Sequence, residues 1–388
     1  EIMPSLVGSE MCIRDSIIME KNKLCIVYNT APRYREAIFR AIDAEWNCDW
    51  YFGHTTTDIK EMDTSLLNKV YYYKTYWWGQ KFYWQHGILG LLFRHDYRLF
   101  FMLLESRCLT AYLFFFLAHF FFPKKKVYIW THGWYGKETK IEAKLKLWLF
   151  RHVDGIFVYG NHAKCLLMEQ GLSEKKLFVI HNSLAYDKQR AIRERIKPSD
   201  IYKEHFNNRC PTLIFIGRLT PVKRLDLLID AVSLLNARNE YYNIVFVGDG
   251  EMRSNLEKNV SEKGLTKNVW FYGSCYDEQT NAELIYNADM CVAPGNVGLT
   301  AIHAMTFGCP VITHSDFKWQ MPEFEAIHPG KTGDFFIRDN VSALADTISH
   351  WFTVKQSQRE TVRQNCFHEI DTQWTPQFQM EVIKRYLK

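Results

Sequence analysis

The chain has 388 residues, 47% of them hydrophobic and 23% charged. That length and balance suit two or three folded domains and exclude both a disulfide-stapled miniature and a charge-rich disordered chain. Its 48 basic and 43 acidic residues leave a net charge of +5, too even a balance for the phosphate-tracking surface of a nucleic-acid binder, so no nucleic-acid partner is expected. Ten cysteines lie scattered without C-x-x-C or zinc-ligand spacing, which fits a reducing, cytoplasmic setting.

The stretch Met11-Cys12-Ile13-Arg14-Asp15-Ser16 reads like the translation of a sequencing-library transposon end. Residues 1–16 are therefore expected to be an adaptor-derived artefact, with the natural start near Met19. Beyond Lys23, short apolar runs alternate with helix-period segments, the signature of βαβ units and parallel sheets. Strands predicted at 24–28, 98–104, 127–130, 156–159 and 177–180 make one Rossmann-like domain over 17–185. Residues 186–209, with Arg190, Arg193, Glu194, Arg195 and Lys197 ahead of Pro198, read as a linker.

A second series follows, with strands at 212–216, 243–247, 269–272, 290–293 and 310–313 and helices at 223–238, 251–263 and 299–307. It defines a second Rossmann-like domain over 210–370, leaving 371–388 as a C-terminal helix whose packing partner is the first domain. Two doubly wound α/β domains in tandem are expected to face each other across a cleft at the carboxyl ends of their strands, where such folds bind ligands.

Two loops at that edge carry chemistry. The first, Gly217-Arg218-Leu219-Thr220-Pro221-Val222-Lys223, delivers two cations five residues apart, which suits a diphosphate or, equally, a solvated basic turn. The second, Pro294-Gly295-Asn296-Val297-Gly298-Leu299-Thr300, follows a strand and opens a helix. Glycines there admit a ligand close to the backbone, and first-turn amides attract phosphate. Together the loops form a candidate clamp for one diphosphate.

Residues 210–336 resemble the C-terminal domain of the family-4 retaining glycosyltransferases with the GT-B fold. The resemblance runs through Gly-Arg-Leu-x-x-x-Lys at 217–223, Val-Gly-Asp-Gly at 247–250, Ala-Asp-x-x-x-x-Pro-Gly at 288–295 and Ala-Met-x-x-Gly-x-Pro-Val-Ile at 304–312. The N-terminal half is similar more weakly, through Trp130-Thr131-His132-Gly133 and Pro32-Arg33-Tyr34-Arg35.

The resemblance implies transfer of a sugar from a UDP- or GDP-sugar, with retention, to a saccharide or lipid-linked acceptor, in cell-surface polysaccharide or glycoconjugate synthesis. It implies that Arg218 and Lys223 stabilise the departing diphosphate, and that His132 lies near the reacting sugar. Gly217 and the segment Gly295, Asn296, Val297, Gly298, Leu299 and Thr300 would hold the donor, while Arg33, Tyr34 and Trp134 are acceptor-side candidates. The family commonly has two glutamates separated by seven residues, and Gly295 and His303 stand in those places here. His303 retains the capacity to hydrogen-bond a ribose hydroxyl. The departure keeps an alternative open, a catalytically silent GT-B relative acting as a binding or assembly subunit.

No Asp-x-Asp occurs, so neither a metal nor any other cofactor is expected, the nucleotide-sugar being a co-substrate. Gly248-Asp249-Gly250 is a truncated dinucleotide fingerprint lacking its third glycine. The apolar run 109–122 is too short to span a bilayer. Lys137, Lys140, Lys144 and Arg151 then run beside an apolar stripe of Ile141, Leu145 and Trp148, a pattern shared by ordinary Rossmann helices and by helices lying at the inner face of a membrane.

Overall fold

The computed structural model describes residues 23–53, 60–79, 82–105 and 107–387, so the adaptor-like stretch 1–16 lies outside the described residues. The chain divides into two units, one running to Ile180 and including the C-terminal residues from Gln379, the other spanning His181–Phe378.

In the first unit the order is β1 (Lys23–Tyr28), α1 (Glu36–Glu45), β2 (Cys48–Phe52), β3 (Val70–Tyr72), β4 (Thr75–Trp78), β5 (Phe82–Gln85) and β6 (Tyr97–Leu103). There follow α2 (Leu109–Phe121), β7 (Lys126–Thr131), α3 (Lys140–Arg151), β8 (Gly155–Val158), α4 (Asn161–Glu169) and β9 (Leu177–Val179). Seven strands pair in parallel in the order β3-β2-β1-β6-β7-β8-β9, while β4 and β5 form a separate antiparallel hairpin. Alternation along β1 builds both faces. Cys25 and Val27 join Phe114, Phe115, Leu149 and Phe150 of α2 and α3. Leu24, Ile26 and Tyr28 join Ile38 and Phe39 of α1, together with Ile383 and Leu387 near the C-terminus.

The second unit contains α5 (Tyr186–Arg193), α6 (Ile201–Phe206), β10 (Thr212–Ile216), α7 (Leu225–Ala237), β11 (Asn243–Val247), α8 (Arg253–Glu262) and β12 (Val269–Gly273). It continues with α9 (Glu278–Asn287), β13 (Met290–Val292), α10 (Leu299–Thr306), β14 (Val311–His314), β15 (Gly333–Phe336), α11 (Val341–Lys355), α12 (Arg359–Gln373) and the start of α13 (Pro376–Tyr386). Its sheet is parallel with the order β12-β11-β10-β13-β14-β15. The order reverses between β10 and β13, and a doubly wound sheet opens its ligand crevice at such a switch point.

The predicted linker 186–209 is instead two helices of this unit. Tyr186, Tyr202 and Phe206 are buried in its core, and most of the charged residues between them are exposed, while Arg193 packs on Phe367 and pairs with Asp371 (2.8 Å). No helix among the described residues is long and apolar enough to cross a membrane.

Candidate functional site

Both predicted loops leave the sheet at the switch point and are joined there through backbone. The Gly295 amide donates to the Lys223 carbonyl (2.9 Å) and the Asn296 amide to the Val222 carbonyl (3.3 Å). Lys223 completes the junction: its Nζ donates to the Asn296 carbonyl (2.8 Å), to Asn296 Oδ1 (2.9 Å) and to the Val297 carbonyl (3.4 Å). Burial, with some help from the nearby Arg218 cation, pulls the Lys223 ammonium down to about 8, while Glu323 opposes the shift. Arg218 is exposed at the same edge, and its side chain makes no hydrogen bond or ion pair with the described residues.

The glycines divide between two jobs. A Cβ on Gly295 would fall 2.0 Å from the Val222 carbonyl oxygen, so the contact between the loops exists only with glycine there. Gly298 caps α10 at φ 56° and ψ −151°, a conformation nearly confined to glycine. Behind it the first-turn amides of Leu299 and Thr300 have no intrahelical acceptor, as at any helix start. Gly217, at φ 145°, lets β10 turn into the cation loop against the Thr300 side chain.

Two predicted donor contacts are already engaged inside the protein. The Val297 amide donates to Gln320 Oε1 (2.9 Å) and the Thr300 hydroxyl to the Ile216 carbonyl (2.8 Å). Thr300 therefore ties α10 to the end of β10, and Val297 is fully buried. Gln320 also donates to Thr313 Oγ1 (2.8 Å) and the His314 carbonyl (3.0 Å), bracing the glycine loop from below. Three residues later Glu323, 2% exposed, accepts from Asn182 Nδ2 (2.8 Å) and acts electrostatically on Lys223. Gln320 and Glu323 carry no signal in the sequence: Gln320 ends one short 3-10 turn (Phe317–Trp319) and Glu323 lies in the next (Pro322–Ala326), both between β14 and β15 and without periodicity.

His303 sits on α10 with its Nε2 2.9 Å from Glu278 Oε1, an oxygen that also accepts from Gln189 Nε2 (2.8 Å). One ring nitrogen is thus held by α9, leaving Nδ1 for a ligand. His303→Ala is expected to weaken UDP affinity by about 1 kcal/mol in calorimetric titration, the net worth of one hydrogen bond. Unchanged affinity with a lowered melting temperature would assign the ring to the Gln189–Glu278 network instead.

In the first unit, His132 follows β7 at the sheet's carboxyl edge, half-buried, with its ring centroid 4.7 Å from that of Tyr159. Burial, then the Arg35 and Lys146 cations, push its imidazole down to about 4. It is neutral at physiological pH, able to donate from one nitrogen and accept at the other. An NMR titration of His132 should accordingly stay flat from pH 8 to about 5; a midpoint near the ordinary histidine value would contradict the environment described.

The His132 loop is fixed by Glu138, which accepts from the amides of Tyr135 and Gly136 (3.0 Å each), and by Lys146, which donates to the Gly133 carbonyl (3.0 Å) and to Glu138 (2.9 Å). Arg33 is exposed and Tyr34 half-buried, as a ligand-facing loop allows. Trp134 is a correction: at 6% exposure it packs in the core beside α3, because the loop turns inward at Gly133. Arg35, the last residue of the Pro32–Arg35 motif and one given no role from sequence, is buried among the rings of Tyr28, Tyr34, Trp130 and Tyr159, with its guanidinium carbon 4.6 Å from the Trp130 centroid. Among the described residues no cluster of three His, Cys, Asp or Glu side chains has metal-binding geometry.

Two Rossmann-like units with these loops at the switch point define a GT-B fold. The solved structure of Anabaena Alr3699/HepE in complex with UDP superposes with a TM-score of 0.71 over 94% of this chain and 99% of that one, at 15% identity. Residues 197–366 match the protein-family model described as glycosyl transferases group 1, and the second unit carries that domain. Over 133 residues the chain is 28% identical to the poly(ribitol-phosphate) alpha-N-acetylglucosaminyltransferase of Staphylococcus aureus, covering 34% of this chain and 26% of that protein. Over 103 residues it is 32% identical to the GDP-mannose-dependent alpha-(1-6)-phosphatidylinositol dimannoside mannosyltransferase of Mycobacterium tuberculosis, covering 26% of each. The alignments thus span about a quarter of these relatives' lengths.

Proposed function

We propose that the protein is a retaining glycosyltransferase that moves a sugar from a UDP- or GDP-sugar to a saccharide or lipid-linked saccharide acceptor in the cytoplasm, in cell-surface polysaccharide or glycoconjugate synthesis. The observation that carries this reading is Lys223, a partly buried cation held by the interlocked loops at the opening of α10. As the glycosidic bond to the donor breaks, negative charge grows on the diphosphate. In this reading Lys223, Arg218 and the first-turn amides of Leu299 and Thr300 oppose it, and preorganised charge of this kind is usually the largest catalytic term. These side chains supply the positive charge themselves, so the reaction is assigned no metal and no other cofactor. Neutral His132 serves the reacting sugar as a hydrogen-bond donor or acceptor without adding charge. The relatives named above carry different acceptor classes in their names, a poly(ribitol-phosphate) and a phosphatidylinositol dimannoside, and it is the second that supports a lipid-linked saccharide here.

Calorimetric titration with UDP and GDP tests the donor side. Binding of one of them, followed by hydrolysis of a matching nucleotide-sugar in a donor panel, supports the proposal. Absence of binding to either at millimolar concentration overturns it. Nucleotide binding without turnover of any donor selects the silent binding subunit instead.

A further inference from the structure

The first unit carries an apolar surface that its own fold leaves uncovered. Along α2, Leu109, Leu113, Phe116 and Phe120 recur at helical spacing and are 38–55% exposed, while Ala111, Phe114, Phe115 and Ala118 fill the core. Neighbouring α3 packs on this helix through Trp148, whose ring stacks on Phe116 at 6.1 Å. It adds Ile141 at 74% and Leu145 at 49% exposure. The β4–β5 hairpin is tied to the start of α2 through the Tyr83 amide, which donates to the Arg107 carbonyl (3.0 Å), and it exposes Trp78 and Phe82. Folded monomers rarely leave so many large apolar side chains together in water without a use for them.

The charge around this surface says what covers it. Residues 109–151 contain eight Lys and Arg against two Glu. Of the two acids, Glu138 is tied to Lys146 and only Glu142 is exposed. Lys140 and Lys144 alternate with Ile141 and Leu145 along the exposed side of α3, and Lys124 follows the end of α2. At the far ends of the same two helices, a cavity of about 250 Å³ brings Lys125, Arg151 and Lys176 together with His119, His152 and a single carboxylate, Asp154, which is paired with Lys126 (2.8 Å). A second copy of this chain would meet the surface with its own positive charge, since a two-fold interface places a patch against itself.

We propose that α2, α3 and the β4–β5 hairpin form a docking face for the surface of an anionic lipid bilayer. Phenylalanine, leucine and isoleucine side chains enter the acyl boundary, and the lysines reach the headgroup phosphates on their flexible stems. The face begins beside the His132 loop, since α3 starts eight residues after His132. A lipid-borne substrate would therefore reach the sheet edge that carries His132 without leaving the bilayer surface.

The test is vesicle flotation of the whole chain, with no donor present, so it stands or falls separately from the reaction proposed above. Binding is expected to vesicles of phosphatidylcholine with phosphatidylglycerol, and at least tenfold less to phosphatidylcholine alone. Each lysine near such a surface is worth about fivefold in partitioning, so Lys140→Glu with Lys144→Glu should cut binding more than tenfold. Phe120→Ser with Ile141→Ser should abolish it. Both variants change exposed side chains, and an unchanged melting temperature confirms that they fold. The proposal is overturned by failure to float with anionic vesicles, or by flotation that survives both variants. It is equally overturned if sedimentation equilibrium shows a dimer that Phe120→Ser with Ile141→Ser dissociates.

Discussion

Lys223→Ala is expected to lower sugar transfer by about a hundredfold or more, the scale on which one preorganised charge-stabilising group is missed in a transition state. The ammonium has two jobs in the structure, and the variant must be read for both. It ties the second loop to the first through Asn296 and Val297, and it is the buried positive charge of the site. Lys223→Met keeps most of the side-chain volume without the charge, and Lys223→Arg keeps the charge with a different reach. If charge dominates, Lys223→Met falls with Lys223→Ala in turnover while the melting temperature stays close to that of the parent. Near-parent turnover of Lys223→Ala would remove the residue from the mechanism.

The same group sets a pH dependence whose sign follows from its surroundings. Burial has already brought the Lys223 ammonium down to about 8, so it loses its proton on the alkaline side of neutrality. UDP affinity should therefore be full below that pH and decline as the pH rises through it, as the cation facing the diphosphate is discharged. Glu323 acts in the opposite direction, favouring the proton on Lys223. Glu323→Gln should move the decline in affinity to lower pH, and an unmoved profile would show that the carboxylate serves only its hydrogen bond with Asn182.

Much of the second unit was legible in the sequence because its first two strands are largely apolar runs each closed by a glycine. Thr212–Ile216 and Asn243–Val247 are buried at every position, and the turns after them need Gly217 and Gly248 at positive φ. The first unit was harder. The strands β2, β3, β4 and β5 follow one another with no helix between β3 and β5, which breaks the alternation that identifies a βαβ unit, and β3 and β4 are largely exposed. Charge misled the reading at 186–209, where Arg190, Arg193 and Lys197 obscured the buried Tyr186 and Tyr202. In the candidate site, the cations and glycines stand within two short segments and could be seen by spacing. Gln320 and Glu323 could not, because what brings them to the loop is the packing of the chain after β14, which no local pattern encodes.

Gly295→Glu, which would return a carboxylate to the position where the glycosyltransferase pattern has one, is expected to abolish nucleotide binding rather than to improve catalysis. The reason is the space the first loop occupies. A Cβ at this position meets the Val222 carbonyl oxygen at 2.0 Å and the Lys223 carbonyl carbon and Cα at 2.7 and 2.8 Å. All three are backbone atoms, so no rotamer change relieves the contact. Even Gly295→Ala must part the two strands of the junction, breaking the amide of Gly295 from the Lys223 carbonyl and drawing Asn296 away from the Lys223 ammonium. Forcing a methyl into a filled site of this kind costs about 1–3 kcal/mol of stability, and the displaced cation should weaken UDP binding by more than tenfold on top of that. Asn296→Ala is the control, since it removes one acceptor of Lys223 and leaves the two backbone carbonyls in place. Its effect should be small beside that of Gly295→Ala in both melting temperature and calorimetric UDP affinity. Equal losses in the two variants would mean that the Asn296 side chain, rather than the close backbone approach at Gly295, holds the loops together.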